Sequence, residues 1–215
     1  MQNFNLDKAE YILFDWDGTL ADTRDCHVDS INEVLAEYNL PDWSEARKLR
    51  DTSLSLKNNF PNIFGDNAKE AFEKYAAIYE KKAPAGVHKF PYIEELINLL
   101  RAKNKKLMVI SNKDRKLLDI DCERLFPKGT FVKVVAGNEA LKNKPYPEHA
   151  YYTLDEYLEP SEITPEKVWI IGDSSFDVEC AIFANALPIL VGKPLDKANI
   201  VYFKNFEDFY KALSS

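Results

Sequence analysis

Two aspartates, separated by one residue, follow a short apolar run near the start of the 215-residue chain. Asp15 and Asp17 come after residues 11–14, a run typical of a buried parallel strand, and Gly18 follows them directly. Ligands of open α/β sheets bind at the carboxyl ends of the strands, so chemistry is expected at this point. One carboxylate could attack an electrophile or hold a metal while the other moves a proton. The alternative is a simple acidic turn, because Asp-Gly is a common turn dipeptide.

Two further stretches offer groups that could bind a phosphate. Ser111 follows an apolar run at 107–110, and a hydroxyl with backbone N–H groups at a strand end suits a phosphate oxygen. Lys144 is followed by Pro145 and Pro147, whose fixed φ would stiffen the segment around it. A lysine held near carboxylates can neutralise both them and a transferring phosphoryl group. Lys142 is the competing candidate, and an ordinary surface lysine is the alternative for either.

A second pair of aspartates follows the apolar run at 168–171. Asp173 lies at the expected strand end and Asp177 lies one helical turn further on, so the two can point toward one site. Mg²⁺ prefers oxygen ligands and is usually bound by one or two carboxylates. The alternative is that Asp173 caps a helix and Asp177 lies in its first turn, which would satisfy the helix dipole equally well.

The elements that would position these residues alternate between strand and helix. Apolar runs predict strands at 11–14, 106–110, 131–135, 168–171, 189–191 and 200–203. Amphipathic spacing predicts helices at 91–100, 114–125, 147–158, 174–186 and 206–213. Such alternation is typical of βαβ units, so we expect an α/β fold with a Rossmann-like, doubly wound parallel sheet and helices on both faces.

A block without predicted strands interrupts this pattern after the first strand. Its helical spacing predicts a helix at 22–38, a second capped by Asp42, a third at 54–60 ended by Pro61, and a fourth capped by Asp66. We therefore expect an α-helical cap domain at residues 22–86, inserted into an α/β core domain made of residues 1–21 and 87–215.

Composition limits the partners and the compartment. The net charge of −7 argues against nucleic acid or an anionic membrane as the main partner. It is compatible with an anionic substrate, because a divalent cation and a few basic side chains can reverse the sign inside a pocket. Cys26, Cys122 and Cys180 are far apart and indicate reduced thiols. No apolar run approaches the ~20 residues that span a bilayer. We expect a cytoplasmic monomer or homodimer.

Taken together and in this order, four stretches resemble the motifs of the haloacid dehalogenase (HAD) superfamily. The helical block between the first and second motifs resembles the family's C1-type cap, and the whole chain looks like the phosphoglycolate-phosphatase-like branch. The stretches are Asp15-Trp16-Asp17-Gly18-Thr19-Leu20, Ser111-Asn112-Lys113, Lys144-Pro145-Tyr146-Pro147 and Gly172-Asp173-Ser174-Ser175-Phe176-Asp177.

The resemblance implies roles for the acidic residues. Asp15 would be the nucleophile that forms an aspartyl-phosphate, and Asp17 would be the general acid and then the base that activates water. Mg²⁺ would be held by the carboxylate of Asp15, the backbone carbonyl of Asp17 and Asp173. Asp15 should stay ionised beside the metal, whereas Asp17 must hold a proton near neutral pH, which desolvation under a closed cap would favour.

The resemblance also implies that Ser111 and Lys144 bind the phosphoryl group and that Asp177 orients Lys144 or a water on the metal. Two positions depart from the family pattern. Trp16 replaces an aliphatic residue, which should be tolerated if its side chain packs outward. Asn185 stands where a glycine is frequent, so that turn is expected to differ in detail.

Substrate selection is expected to come from the cap and the catalytic loop. Arg24 and His27 are three residues apart, so they share a helix face near the loop, where an arginine would suit a carboxylate. We also expect Gly18, Thr19 and Asn112 to contact the substrate. An ordinary surface arginine and a buried, satisfied histidine are the alternatives.

These observations predict a Mg²⁺-dependent phosphomonoester hydrolase acting on a small, phosphoglycolate-like metabolite. One alternative is a β-phosphoglucomutase-like phosphosugar mutase, because such relatives carry a histidine at the position of His27. A second is a Mg²⁺- and phosphate-binding regulatory protein without turnover. The intact set of Asp15, Asp17, Lys144 and Asp173 argues against this second alternative, since a binding protein does not require the proton-transfer aspartate.

Overall fold

The computed structural model describes residues 4–51, 54–196 and 200–214. The strands are β1 (Tyr11–Phe14), β2 (Ala21–Asp22), β3 (His88–Lys89), β4 (Lys106–Ile110), β5 (Lys133–Val135), β6 (Val168–Gly172), β7 (Leu187–Val191) and β8 (Val201–Phe203). The helices are α1 (Arg24–Glu37), α2 (Trp43–Ala46), α3 (Leu56–Phe64), α4 (Ala68–Gly86), α5 (Ile93–Ala102), α6 (Arg115–Leu125), α7 (Glu148–Leu154), α8 (Ser175–Phe183) and α9 (Phe206–Ser214). Short 3-10 turns lie at Arg47–Leu49, Gly65–Asn67 and Pro160–Glu162.

Six of the strands form one parallel sheet in the order β5-β4-β1-β6-β7-β8. Side chains of β1, β4 and β6 alternate between two hydrophobic clusters, one on each face. One cluster contains residues of α5, α6, α9 and the helical segment 24–86, and the other contains residues of α7 and α8. The predicted doubly wound α/β fold is therefore confirmed.

The central strand β1 brings the chemically interesting strand ends together. Phe14 is level with Val109 of β4 on one side and Ile171 of β6 on the other. The N–H of Asp15 continues the ladder by donating to the carbonyl of Ile171, 2.8 Å away. Because parallel strands end at the same edge, the residues that follow β1, β4 and β6 share one location.

The helical segment enters and leaves the sheet domain through a small ribbon. Its flanks, β2 and β3, pair antiparallel, with Ala21 opposite Lys89 and Asp22 opposite His88. Strands of two residues carry no periodicity that a sequence could reveal, and this pair was not predicted. The ribbon holds the two connections side by side, as an inserted domain requires, and the division at residues 22–86 stays a prediction.

The prediction that Pro61 ends a helix is wrong. Helix α3 contains Pro61 and continues to Phe64. Proline removes one backbone N–H and its ring crowds the preceding turn. Pro61 lies on the exposed face, where water can solvate the freed carbonyl, while Phe60 and Ile63 pack in the core. The burial of the opposite face therefore outweighs the local cost of the proline.

Several other helix ends also differ from the prediction. Asn67, not Asp66, is the N-cap residue of α4, because residues 65–67 form a 3-10 turn. Helix α7 ends earlier than predicted, at Leu154. Helix α8 also ends earlier, at Phe183, because Asn185 adopts a left-handed φ of 58°. Asparagine tolerates this conformation, so here it takes the place that glycine often occupies.

Outward packing, the condition on which Trp16 should be tolerated, is not met, since its side chain is fully buried. Trp16 lies two residues after Phe14 and joins the same hydrophobic cluster. Its ring meets Phe126 edge-to-face with centroids 5.7 Å apart, and its Nε1–H donates to Asp121 Oδ2 at 3.2 Å. The indole therefore fills the core and also stabilises a buried carboxylate.

Two further observations concern the compartment and membrane expectations. Cys26, Cys122 and Cys180 are free thiols. Within 4–51, 54–196 and 200–214, no helix combines the length and the apolarity that a bilayer crossing requires.

The position of Trp16 generates a stability prediction. Replacing a buried tryptophan by alanine leaves a large cavity, so Trp16→Ala should lower the free energy of unfolding by about 3–5 kcal/mol. Trp16→Phe keeps most of the packing but removes a donor from Asp121, and should cost about 1–3 kcal/mol. Urea unfolding followed by circular dichroism measures both. A cost below about 1 kcal/mol for Trp16→Ala would contradict the buried position.

Candidate active site

A cavity of about 420 Å³ opens between the carboxyl ends of the strands and the helical segment 24–86. Its floor contains Asp15 after β1, Ser111 after β4 and Asp173 after β6. The helical segment contributes residues of α1, α3 and α4 to the opposite wall. The strand ends that the sequence marked as chemically interesting therefore meet in one cavity.

Lys144 lies at the centre of the floor. Its Nζ is 2.6 Å from Asp15 Oδ1 and 2.6 Å from Asp177 Oδ1, and its side chain is only 3% exposed. Burial by itself would lower the pKa of Lys144, but the two carboxylates raise it above its ordinary value. Lys142, the competing candidate, is half exposed and pairs with Glu148 at 3.0 Å. Geometry therefore favours Lys144.

The backbone of Lys144 is held by two side chains. Asn112 Oδ1 accepts the N–H of Lys144 at 3.0 Å, and Asn112 Nδ2 donates to the Lys144 carbonyl at 2.9 Å. The same N–H lies 3.3 Å from Nδ1 of the buried His149, and the bond from Lys144 to Pro145 is cis. The amide of Asn112 is thus occupied by the backbone. It positions Lys144, and because Asn112 also lines the cavity, its contact with substrate stays a prediction.

Three carboxylates surround this lysine. Oxygens of Asp15, Asp173 and Asp177 lie within 4.8 Å of one another. Burial, then Asp177, raises the pKa of Asp15 well above its ordinary value, although Lys144 opposes the shift. Burial and Asp177 likewise raise the pKa of Asp173 to about 6. Lys144 supplies one positive charge against three carboxylates, so the residues present fit a divalent cation with oxygen ligands such as Mg²⁺.

Gly18 allows the loop that follows β1 to lie close to the carboxylate of Asp173. A Cβ on Gly18 would lie 2.4 Å from Asp173 Oδ2, and its φ of +85° is one that L side chains rarely adopt. Gly18 also lines the cavity. Its clearest physical role is to make room for Asp173.

Asp17 points away from the acidic group. Its Oδ1 accepts from Thr23 Oγ1 at 2.6 Å and from Lys113 Nζ at 2.7 Å. Burial would raise the pKa of Asp17, but Lys113 and Thr23 together lower it below its ordinary value. This shift opposes a protonated Asp17 in the present conformation, and its expected ability to hold a proton near neutral pH stays a prediction. The physical reason for the shift is Lys113, which the sequence shows two residues after Ser111 but does not show to be buried.

Lys113 belongs to a buried polar network. Besides Asp17, its Nζ contacts Asp121 Oδ2 at 3.0 Å and the hydroxyl of Tyr79 at 2.9 Å. Asp121 is fully buried, and its Oδ2 also accepts from Tyr79 at 2.9 Å and from Trp16. The network connects the catalytic loop with α4 and α6. Sequence reasoning missed it because a single aspartate within an amphipathic helix gives no sign of burial.

The remaining predicted residues have different environments. Ser111 is buried and lines the cavity, whereas Thr19 is fully buried and is not among the residues lining the cavity, so we do not include it in the site. Arg24 lines the cavity but is exposed. His27 lies on the cavity wall with its Nδ1 2.9 Å from the hydroxyl of Tyr75. Burial lowers the pKa of His27 to about 4, so it is neutral at pH 7.

Comparison with known proteins adds independent observations. The family model described as "Haloacid dehalogenase-like hydrolase" matches residues 12–191. The phosphoglycolate phosphatase of Aquifex aeolicus is 28% identical over 173 residues, which cover 78% of this chain and 78% of that protein. The pyrophosphatase PpaX of Anoxybacillus flavithermus is 25% identical over 167 residues, which cover 78% of this chain and 76% of that protein.

Among solved structures, CbbY from Rhodobacter sphaeroides in complex with phosphate superposes with a TM-score of 0.79. It is 21% identical, and the match covers 94% of this chain and 96% of that one. At this identity the likeness concerns the fold, and it extends over both the sheet and the helical segment.

The close approach at Gly18 generates the second prediction. Gly18→Ala should displace Asp173 and weaken Mg²⁺ binding at least about 10-fold, because a misplaced carboxylate no longer meets the others. Isothermal titration with Mg²⁺ measures the affinity. Gly129→Ala is the matched control: Gly129 has a similar φ of +83° but nothing within 4 Å of its Cβ position. Equal affinities in wild type and Gly18→Ala would contradict the steric argument.

His149 generates a prediction for stability at acidic pH. Burial, followed by Lys144, lowers the pKa of His149 to about 3, whereas the unfolded chain titrates near 6.5. Below pH 6.5, His149 binds a proton in the unfolded state but stays neutral in the folded state until about pH 3. This group should therefore cost up to ~1.4 kcal/mol of stability per pH unit in that window. Urea unfolding at pH 7, 6, 5 and 4 should show a shallower decline for His149→Asn, and equal slopes would contradict it.

Proposed function

The chain belongs to the haloacid dehalogenase-like hydrolases, and we propose that it is a Mg²⁺-dependent phosphatase of small phosphorylated metabolites that works through an aspartyl-phosphate. The observation that carries the proposal is the buried Lys144, which pairs with Asp15 and Asp177 on the floor of the cavity. Asp173 lies beside the two aspartates. The curated relatives named phosphoglycolate phosphatase and pyrophosphatase support a phosphatase, and the first supports a phosphoglycolate-like substrate.

The first proposed step transfers the phosphoryl group to the protein. A carboxylate oxygen of Asp15 attacks phosphorus, the bond to the leaving oxygen breaks, and Asp17 donates its proton to that oxygen. Lys144 and Ser111, both buried on the cavity floor, bind the phosphoryl oxygens and stabilise the charge in the transition state. The products are an alcohol and a phosphorylated Asp15.

The second proposed step hydrolyses this acyl phosphate. Asp17, now ionised, removes a proton from water, and the oxygen of that water attacks phosphorus. The bond between phosphorus and Asp15 breaks, which releases inorganic phosphate and regenerates the carboxylate. Asp17 thus serves as acid in one step and as base in the next.

The contact between Asp17 and Lys113 describes the resting enzyme. An ionised Asp17, held 2.7 Å from Lys113, can act as a base but not as an acid. The first step therefore requires that this contact loosen and that Asp17 take up a proton when substrate binds. Thr23, the other partner of Asp17, lies between the ribbon and α1, so movement of the helical segment would act on this contact directly.

Residues at the strand ends would hold the metal. Asp15, Asp173 and the backbone carbonyl of Asp17 are the proposed ligands, and Asp177 completes the acidic group. When bound, Mg²⁺ would offset the repulsion between an anionic carboxylate and an anionic phosphate. Residues 22–86 would act as a cap domain that excludes water and contacts the rest of the substrate.

Phosphate release from a panel of phosphomonoesters tests the proposal. The panel holds phosphoglycolate, pyrophosphate, a nucleotide and sugar phosphates. Release should depend on Mg²⁺, stop with a chelator, and fall at least about 10³-fold in Asp15→Asn because the amide cannot attack phosphorus. Asp25→Asn, the same change at an exposed position of α1, should retain full activity.

Three results would contradict the proposal. Release that persists in Asp15→Asn would exclude this aspartate as the nucleophile. Transfer of phosphate between positions of a sugar phosphate, without release, would favour the mutase. Binding of Mg²⁺ and phosphate without either reaction would favour the regulatory protein.

A further inference from the structure

Five cationic side chains line the cavity, and they differ in what compensates their charge. They are Arg24, Arg50, Lys57, Lys113 and Lys144. Each of the three lysines has an aspartate oxygen within 2.8 Å. Arg24 is exposed, so water solvates its guanidinium. The charges of these four residues are therefore balanced by a carboxylate or by solvent.

Arg50 is the exception. It follows the 3-10 turn Arg47–Leu49 and is half-buried on the cap side of the cavity. No ion pair joins it to any carboxylate in the parts of the chain that the structure describes. Its Nε is out of contact with solvent and has no hydrogen-bond partner among the described residues. A guanidinium with an unused donor thus faces a cavity built for an anionic ligand.

The surroundings of Arg50 provide little compensation. Its guanidinium lies 5.6 Å from the ring centroid of Trp43, a cation–π contact of modest strength. Trp43 in turn meets the ring of His27, which is neutral at pH 7 and supplies no negative charge. Burial lowers the pKa of Arg50 from its ordinary value, yet a guanidinium stays protonated at neutral pH. Desolvation without a partner costs free energy, and an anion from the ligand would recover it.

We propose that Arg50 binds a second anionic group of the substrate, so that the enzyme selects phosphomonoesters that carry a carboxylate or a second phosphoryl group. This inference rests on the proposed phosphatase activity. Ser111 and Lys144 would bind the phosphoryl group that is transferred, and Arg50 would bind the other anion from the cap side. Guanidinium matches the planar geometry of a carboxylate or phosphate with two parallel hydrogen bonds. A neutral ester would leave Arg50 unpaired.

The experiment compares two esters of nearly equal size. Phosphoglycolate carries a carboxylate, and 2-hydroxyethyl phosphate carries a neutral hydroxymethyl group in its place. In Arg50→Gln, KM for phosphoglycolate should rise about 10- to 100-fold with kcat within about 3-fold, the size expected for a lost charge-assisted hydrogen bond. KM for 2-hydroxyethyl phosphate should stay the same. Arg50→Lys keeps the charge but loses the paired donors of the guanidinium, so its KM for phosphoglycolate should lie between those of wild type and Arg50→Gln.

Arg47→Gln is the matched control, because Arg47 is exposed, lies three residues before Arg50 and does not line the cavity. It should change neither ester's kinetics. Pyrophosphate forms the other arm: a larger rise of its KM in Arg50→Gln than that of phosphoglycolate identifies a phosphoryl group as the preferred anion, and the reverse identifies a carboxylate. An equal effect on charged and neutral esters, or no effect on either, overturns the inference.

A binding measurement separates this inference from the proposed activity. Phosphoglycolate is titrated calorimetrically, with Mg²⁺, into Asp15→Asn and into Asp15→Asn with Arg50→Gln. At least about 10-fold weaker binding in the double variant, with 2-hydroxyethyl phosphate unaffected, supports the role of Arg50 even if no ester is turned over. Equal binding overturns it even if the phosphatase activity is established.

Discussion

The structure depends on a buried lysine held between two buried aspartates. Lys144 has almost no exposed surface, and neither of its partners, Asp15 and Asp177, could be left without a counter-charge at that depth. The three residues come from the end of β1, from the turn that precedes Pro145 and from the first turn of α8. The two carboxylates gain a buried counter-charge only when those three elements meet, so the requirement that fixes the candidate nucleophile also fixes the local packing.

A second buried lysine between two aspartates lies next to the helical segment. Lys113 lies between Asp17 and Asp121 and also donates to the hydroxyl of Tyr79. Since Tyr79 belongs to α4, the helical segment takes part in the electrostatics of the catalytic loop and does more than cover it. The two lysines have different effects. Lys144 holds the proposed nucleophile ready on the floor, whereas Lys113 keeps the proposed acid ionised until the helical segment or a ligand changes its surroundings.

The sequence predicted the elements that a residue pattern can encode and failed where distant residues decide. Strand ends at Asp15, Ser111 and Asp173 followed from apolar runs and were found at one edge of the sheet. The burial of Trp16 could not be predicted, because its indole N–H donates a hydrogen bond to Asp121, which lies 105 residues away in the sequence. Pro61 misled for a related reason: a local rule about proline was overruled by packing on the opposite face of the helix.

In the candidate site, too, local residue patterns could be predicted and contacts between distant residues could not. Lys144 and Asp177 could be nominated because they lie in compact stretches with recognisable spacing. The pairing of Lys113 with Asp17, and the lack of any pairing for Arg50 among the described residues, are properties of the folded chain alone. The difference between the two cations has a consequence for function. On our proposal, Lys113 and Lys144, which the protein neutralises, hold the catalytic groups. The half-buried Arg50, without a carboxylate among the described residues, has a donor available for a ligand, and the choice of substrate would then depend on it.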